Sequence, residues 1–399
     1  MRTVLAGGDL FNSHDGTIRR GDIAIDGERI VEVGIGLDGD ASVDCSGLTL
    51  LPGLFDCHVH MAFSGDLDWV RGLQRGFSYQ FFEAAQNLRR TLDIGITTVR
   101  DAGFADIGVK QAIEDGLVEG PRLRIAVTIL SQTGGHADGM MPCGVDINPP
   151  PYPGMPSGVV DGTESVRART REILRAGADH IKIASSGGVL SPTSDPRLAQ
   201  FLPDEIEEIV AVARAAGTYV MAHAQSSAGI KNALRAGVRS IEHGVYLDDE
   251  AIELLLAEDV WLVPTLMAPR GVLDAIERGE QMPDRVVQKA SEVAGAHMES
   301  VRRAVAAGVR IAMGTDTGVT PHGDNLRELA LMADAGMSAP AVLQSTTLEA
   351  ARLMRLDDEL GSLEVGKRAD VVAVAGDALS FDDLRARITQ VWKDGARLR

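Results

Sequence analysis

Apolar and polar positions alternate over short runs at the start of the chain, Arg2 to Leu5, Gly21 to Ile25 and Arg29 to Val33, with Asp26-Gly27 between the last two. A period of two with a turn dipeptide between runs predicts strands joined by a hairpin. The far end repeats the signal in Asp370 to Ala375 and Ile388 to Trp392, the latter followed by Asp394-Gly395. Both ends are therefore expected in one small β-sandwich domain built from residues 1–52 and 361–399.

Between them, short β-branched runs alternate with helix-patterned stretches, as in a parallel sheet wrapped by helices. The expected strands end near His58-Val59-His60, Thr97 to Asp101, Arg124 to Leu130, Ile181-Lys182-Ile183, Tyr219 to His223, Ser240 to His243, Trp261 to Thr265 and Ile311 to Asp316. Such a count implies closure into a (β/α)8 TIM barrel over residues 53–360. Helices are expected at Glu205 to Ala216 and Ala228 to Ala236, each stopped by a glycine. Residues 136–163, rich in proline and glycine as in Asn148-Pro-Pro-Pro-Tyr-Pro-Gly154, break the alternation and predict a long ordered loop over the substrate route.

Composition narrows the function. With 45% hydrophobic and 24% charged residues the chain reads as globular. Its net charge of -18 repels nucleic acid and anionic lipid, leaving a small-molecule substrate. Cys45, Cys57 and Cys143 lack metal-ligand spacing and form no disulfide framework. No leader-like start and no membrane-length apolar run is seen, so the cytoplasm is expected.

His58 and His60, two apart on a strand, face the same side and can grip one cation. His223, His243 and Asp316 each end a later strand, and in a closed barrel the C-terminal strand ends converge on one mouth. Lys182, at another strand end, would be costly there as a bare ammonium. Five groups suited to metals, His58, His60, His223, His243 and Asp316, are thus expected at one rim, with Lys182 beside them.

The run Leu51-Pro-Gly-Leu-Phe-Asp-Cys-His-Val-His60, together with these single residues and the tail Gly361-Ser-Leu-Glu-Val-Gly-Lys-Arg-Ala-Asp370, resembles the metal-dependent amidohydrolases over nearly the whole chain. The resemblance implies two divalent cations, zinc by expectation, with His58, His60 and Asp316 on one and His223 and His243 on the other. It implies that Lys182 is carboxylated by carbon dioxide and bridges them as a carbamate, beside a bridging hydroxide. Asp316 would carry the proton from that hydroxide to the departing amine. Ser131-Gln-Thr-Gly-Gly-His136, Ile241-Glu-His-Gly-Val-Tyr246 and Gly314-Thr-Asp-Thr-Gly-Val-Thr-Pro-His322 resemble the Xaa-Pro dipeptidase-like and zinc carboxypeptidase-like branch, which acts on dipeptides and N-acyl amino acids. On that likeness His136 would face the substrate carbonyl or carboxylate, and Tyr246 the tetrahedral intermediate. By analogy the chain would also form a homo-oligomer.

The same metal centre could cleave a cyclic amide, a carbamate, a urea or a xenobiotic amide. A mononuclear deaminase is disfavoured by Lys182, and by His223-Ala-Gln225-Ser where deaminases carry a glutamate. A non-enzymatic scaffold has no physical reason to keep the ligand set. Asp101 is expected to anchor loops, and His14, His180 and His297 to be structural or exposed. His322 is left between a turn and the pocket rim. Side-chain preference would rest on Asp138, Asp146 and Asp195 for a cationic group, or Met140, Met141 and Leu190 for an apolar one, in loops 136–163 and 187–203.

Overall fold

A computed structural model describes every residue except Pro192, Gln281 and Pro283, and Trp69 by its backbone alone. Pro192 of the 187–203 loop therefore lies outside the described residues. The chain opens with β1 (Arg2–Phe11), β2 (Ile18–Asp26), β3 (Arg29–Gly34), β4 (Ala41–Asp44) and β5 (Leu48–Pro52). There follow β6 (Leu54–Val59), β7 (Ile96–Asp101), β8 (Arg122–Ile125), β9 (Ile129–Leu130), β10 (Ile181–Ala184), β11 (Val220–Ala224), β12 (Ser240–His243) and β13 (Trp261–Val263), with helices between most of them. The end returns as β14 (Val371–Ala375), β15 (Ile388–Lys393) and β16 (Ala396–Arg397).

Both ends of the chain do meet, in one connected eight-stranded sheet ordered β16-β15-β14-β5-β1-β2-β3 with β4 beside β1. Its apolar face buries Leu5, Ile23, Ile30, Leu50, Val371 and Trp392. Gly27 at φ 57° makes the β2–β3 turn, where a side chain would be strained. At the exit from this sheet, Gly53 donates its N–H to Asp370 O at 2.8 Å. A Cβ on Gly53 would sit 2.1 Å from Thr97 Oγ1, so only glycine lets the small sheet lie against β7.

The central region forms two parallel sheets, β6-β7-β8 and β9-β10-β11-β12-β13, rather than one regular eight-stranded ring. Two expected strands are broken, for local reasons. Val127 takes φ 67° between β8 and β9, which splits the third strand. The stretch expected as the eighth makes only isolated parallel bridges, Ile311 with Leu262 and Thr317 with Val59. It nevertheless lies between β13 and β6, since Ala312 N–H donates to Leu262 O and Cys57 N–H to Met313 O. One large apolar cluster joins strands and helices, with Leu54, Ile96, Ile125, Ile183, Ala222 and Ile241 among the strand contributors. Each of the leucine and isoleucine side chains contributes roughly 1.5–3 kcal/mol on full burial. Helices Pro203–Ala215 and Ser227–Ala236 fall where expected, the latter ending at Gly237 in the left-handed region. No helix among the described residues is long and apolar enough to cross a membrane.

Candidate metal centre and substrate cavity

The C-terminal ends of these strands surround a cavity of about 340 Å³ whose lining includes His58, His60, His136, Lys182, His223, His243 and Asp316. Ligand atoms of His58, His60 and Asp316 all lie within 4.8 Å of one another. Asp316 Oδ1 stands 3.5 Å from His58 Nε2 and 3.3 Å from His60 Nε2. Lys182 Nζ lies 3.5 Å from His58 Nε2. The His243 ring centroid is 5.0 Å from that of His58 and 4.6 Å from that of His223.

Hydrogen bonds fix which ring nitrogens are free. His58 Nδ1–H donates to Glu242 Oε2 at 2.8 Å, His60 Nδ1–H to Gly103 O at 3.1 Å, and His223 Nε2–H to Gly187 O at 3.0 Å. Each acceptor can only accept, so wherever the ring is neutral its second nitrogen carries a lone pair, as a ligand to a cation must. Burial, followed by neighbouring cationic groups, holds His58, His223 and His243 well below the usual imidazole pKa, which keeps them neutral. Burial also depresses His60, but its contact with Asp316 outweighs this and the net direction is upward. The Lys182 ammonium is pushed down to about 8 by burial, against the pull of Glu242 and Asp316. The neutral imidazoles of His58, His223 and His243, with His60 beside the Asp316 carboxylate and an easily deprotonated amine, form a donor set suited to divalent metal.

Backbone distortion aims two of these residues. In a strand successive side chains point to opposite faces, yet Glu242 and His243 both serve the site. His243 does so at φ 72°, Asp316 stands at φ 61°, and Thr265, whose Oγ1 is 2.7 Å from His243 Nδ1, at φ 51°. Left-handed backbone costs a residue of this kind about 1–3 kcal/mol. A buried polar layer holds it: Asp56 accepts from His58 N–H, Thr315 N–H and Oγ1–H, and Asn325 Nδ2. Asp316 N–H also donates to His58 O at 2.7 Å.

Beneath His58, Glu242 Oε1 accepts from Arg100 Nη2 at 2.9 Å, and Arg100 Nε donates to Cys57 O at 2.7 Å. Neither charge was singled out from sequence, although Arg100 and Glu242 stand out as polar residues within fully buried strands. Asp101 anchors backbone as expected, accepting from Met61, Gly103 and Ala105 N–H. His180 donates to Asp101 O, while His14 is exposed beside Glu364. His322 serves the turn, with Nε2 against His60 O and Phe63 O. His297 is closer to the chemistry than its sequence position suggested: it lines the cavity and donates to His243 O at 2.8 Å.

His136 stacks on His223 with centroids 3.9 Å apart, and its buried Nδ1 has no partner among the described residues. Burial, with Lys182 and Lys289 nearby, lowers its pKa to about 3. The structure does not bring Tyr246 to the same place. It packs, half-buried, against the apolar cluster around Val245 and Val272, outside the cavity lining. The rest of the wall is largely apolar, with Phe63, Phe104, Ile129, Val189, Leu190 and Val272. Of the acids considered for a cationic substrate, Asp146 and Asp195 are not on the lining, and Asp138 there accepts from Gly134 and Met140 N–H. Arg75 at the rim bonds Glu83 and Asp66.

Residues 49–398 match the amidohydrolase family. The chain is 35% identical over 367 residues to ochratoxinase of Aspergillus niger, covering 87% of this chain and 75% of that one. A solved Xaa-Pro dipeptidase with methionine bound in its active site aligns with a TM-score of 0.91 at 35% identity, over 100% of both chains. A prolidase complexed with N-methylphosphonate-L-proline aligns with a TM-score of 0.92 at 36% identity, again over 100% of both. The chain belongs to the amidohydrolase family and is an enzyme acting on carbon–nitrogen bonds. Within the family it falls in the dipeptidase-like group.

Proposed function

We propose that this enzyme is a binuclear metal-dependent hydrolase of dipeptides or N-acyl amino acids with apolar side chains, working at the mouth of a (β/α)8 barrel. The observation that carries the reading is the gathering of His58, His60, Lys182, His223, His243 and Asp316 on one cavity whose remaining wall is largely apolar, with Asp66, Asp68, Arg75, Glu83 and Asp138 also on its lining. His58, His60 and Asp316 would hold one cation and His223 and His243 the other, with zinc fitting the nitrogen-rich set. Lys182, with a pKa near 8, has enough neutral amine to add carbon dioxide and, as a carbamate, would bridge the two. When bound, such cations supply Lewis-acid activation of water and of the scissile carbonyl.

The chain's own groups do the rest. Asp316 takes the proton from the attacking water and returns it to the departing amine nitrogen, general base then general acid. His136, neutral and on the cavity lining, donates a ring N–H to the substrate carbonyl or carboxylate oxygen. The apolar wall desolvates the substrate side chain, which strengthens both contacts. With its cysteines unpaired, we assign the enzyme to the cytoplasm.

The apolar wall also suits a bulky cyclic or xenobiotic amide cleaved at the same centre, and the similarity to ochratoxinase favours this as the second reading. A substrate panel separates the two. The zinc- and bicarbonate-loaded enzyme should release amino acid from N-acetyl-phenylalanine, N-acetyl-leucine and apolar dipeptides, well ahead of N-acetyl-lysine and N-acetyl-aspartate. Turnover of cyclic amides, carbamates or ureas with none of the amino-acid derivatives would overturn the first reading.

A further inference from the structure

Helix Asp284–Ala307 lies behind the cavity and presents Lys289, Val293, His297 and Ser300 at spacings of three and four, hence on one face. Val293 and His297 line the cavity, and Ser300 Oγ–H donates to Val245 O at 2.6 Å. Lys289 does something different. The residue is 7% exposed, and its ammonium donates to three main-chain carbonyls, Gly188 O at 2.9 Å, Ser191 O at 2.6 Å and Ser194 O at 3.1 Å. Burying an ammonium against neutral carbonyls is expensive, so the arrangement persists only where the geometry it imposes matters.

The segment it grips touches the site from Gly187 to Ser191. Gly187 O accepts from His223 Nε2–H. Gly188 faces the His136 ring so closely that a Cβ would sit 2.3 Å from His136 Cε1, and its N–H donates to Ser194 Oγ. Val189, Leu190 and Ser191 form part of the cavity wall.

We propose that Lys289 is a positioning residue for substrate selection: from outside the cavity it draws the carbonyls of Gly188, Ser191 and Ser194 together, which sets the apolar wall at Val189 and Leu190. This inference rests on the hydrolase reading above for its substrate, but not for its loop. The charged groups nearest Lys289 in effect are Arg285 on its own helix and Asp195 on the gripped segment. Neither takes over the three carbonyl contacts.

The test uses the full-length, metal-loaded enzyme and its Lys289→Met variant, with Lys289→Gln as a second variant should the first not fold. Hydrogen–deuterium exchange is read at Gly187, Gly188 and Ser194, whose N–H groups are held within the loop. Exchange there should rise about tenfold or more, with the barrel strands unchanged. Metal content should be the same in all proteins. Kinetically, KM for N-acetyl-phenylalanine should rise about tenfold with kcat changed under about threefold, while KM for N-acetyl-alanine moves far less. Unchanged loop exchange overturns the proposal whatever the substrate. A looser loop with equal losses on both substrates also overturns it, by reducing Lys289 to a general structural role. If the wild type hydrolyses neither substrate, the hydrolase reading fails and the exchange data alone decide the loop claim.

Discussion

Replacing Glu242 by Gln tests whether the charge network beneath the histidines holds them in place. Glu242 is fully buried, and its two oxygens serve different donors: Oε2 accepts from His58 Nδ1–H at 2.8 Å and Oε1 from Arg100 Nη2 at 2.9 Å. Ser240 Oγ–H also reaches Oε1. Glutamine keeps the volume but has one acceptor oxygen, so its NH2 must confront either His58 or Arg100. Removing one member of a buried ion pair costs about 3–5 kcal/mol, because the other charge is left uncompensated. Arg100 keeps Cys57 O and Ser240 Oγ as acceptors, which points to the lower end, about 3 kcal/mol. A loosened His58 should in addition bind metal about 10–100-fold more weakly. Urea unfolding of the metal-free proteins at one pH measures the first effect, and zinc titration against a competing chelator the second. A stability loss below about 1 kcal/mol together with unchanged zinc affinity would refute the reasoning, since it would make the network no more than an ordinary neutral hydrogen bond.

Other substitutions test other parts. His136→Gln should lower kcat/KM about 10²–10³-fold with metal content intact, whereas Tyr246→Phe, outside the cavity, should change it less than about twofold in the same assay. Gly188→Ala places a Cβ against the His136 ring and should reproduce the His136→Gln loss, with the circular dichroism spectrum unchanged. Asp179 accepts from Lys110 Nζ, Arg124 Nη1 and Ile125 N–H. Burial raises its pKa but these partners outweigh it, leaving the value below the ordinary 3.8. Its stabilisation is therefore complete above about pH 4 and is lost as pH falls through the depressed value. Asp179→Asn should cost about 1–3 kcal/mol at pH 7, and the gap to wild type in urea unfolding should close below pH 4.

Much of this site could be read from the sequence because its residues punctuate apolar strands. His58, His60, Lys182, His223, His243 and Asp316 each interrupt a buried run at a strand end, and a parallel sheet brings such ends to one side. The supporting layer was less legible. Glu242 precedes His243 directly, and strict alternation puts neighbours on opposite faces; only the left-handed backbone at His243 reconciles them, and nothing local in the sequence announces it. Lys289 was invisible for a related reason: a lysine in a helix ordinarily reads as solvated surface, and its carbonyl partners lie about a hundred residues upstream. Val127 and residues 310–317 broke strands that β-branched composition had favoured, since tertiary context overrides propensity. Tyr246 rested on motif resemblance alone, and its side chain packs half-buried with the apolar cluster around Val245 and Val272.

The most direct test of the account is the metal content of the purified enzyme and of Lys182→Ala, each reconstituted with zinc in bicarbonate and measured by elemental analysis. Lys182 as the bridge predicts close to two zinc ions per chain in the wild type and one or none in the variant, with amide hydrolysis lost in parallel. One zinc ion per chain in both proteins, at equal activity, would contradict the bridged centre and leave His58, His60 and Asp316 as a single-metal site.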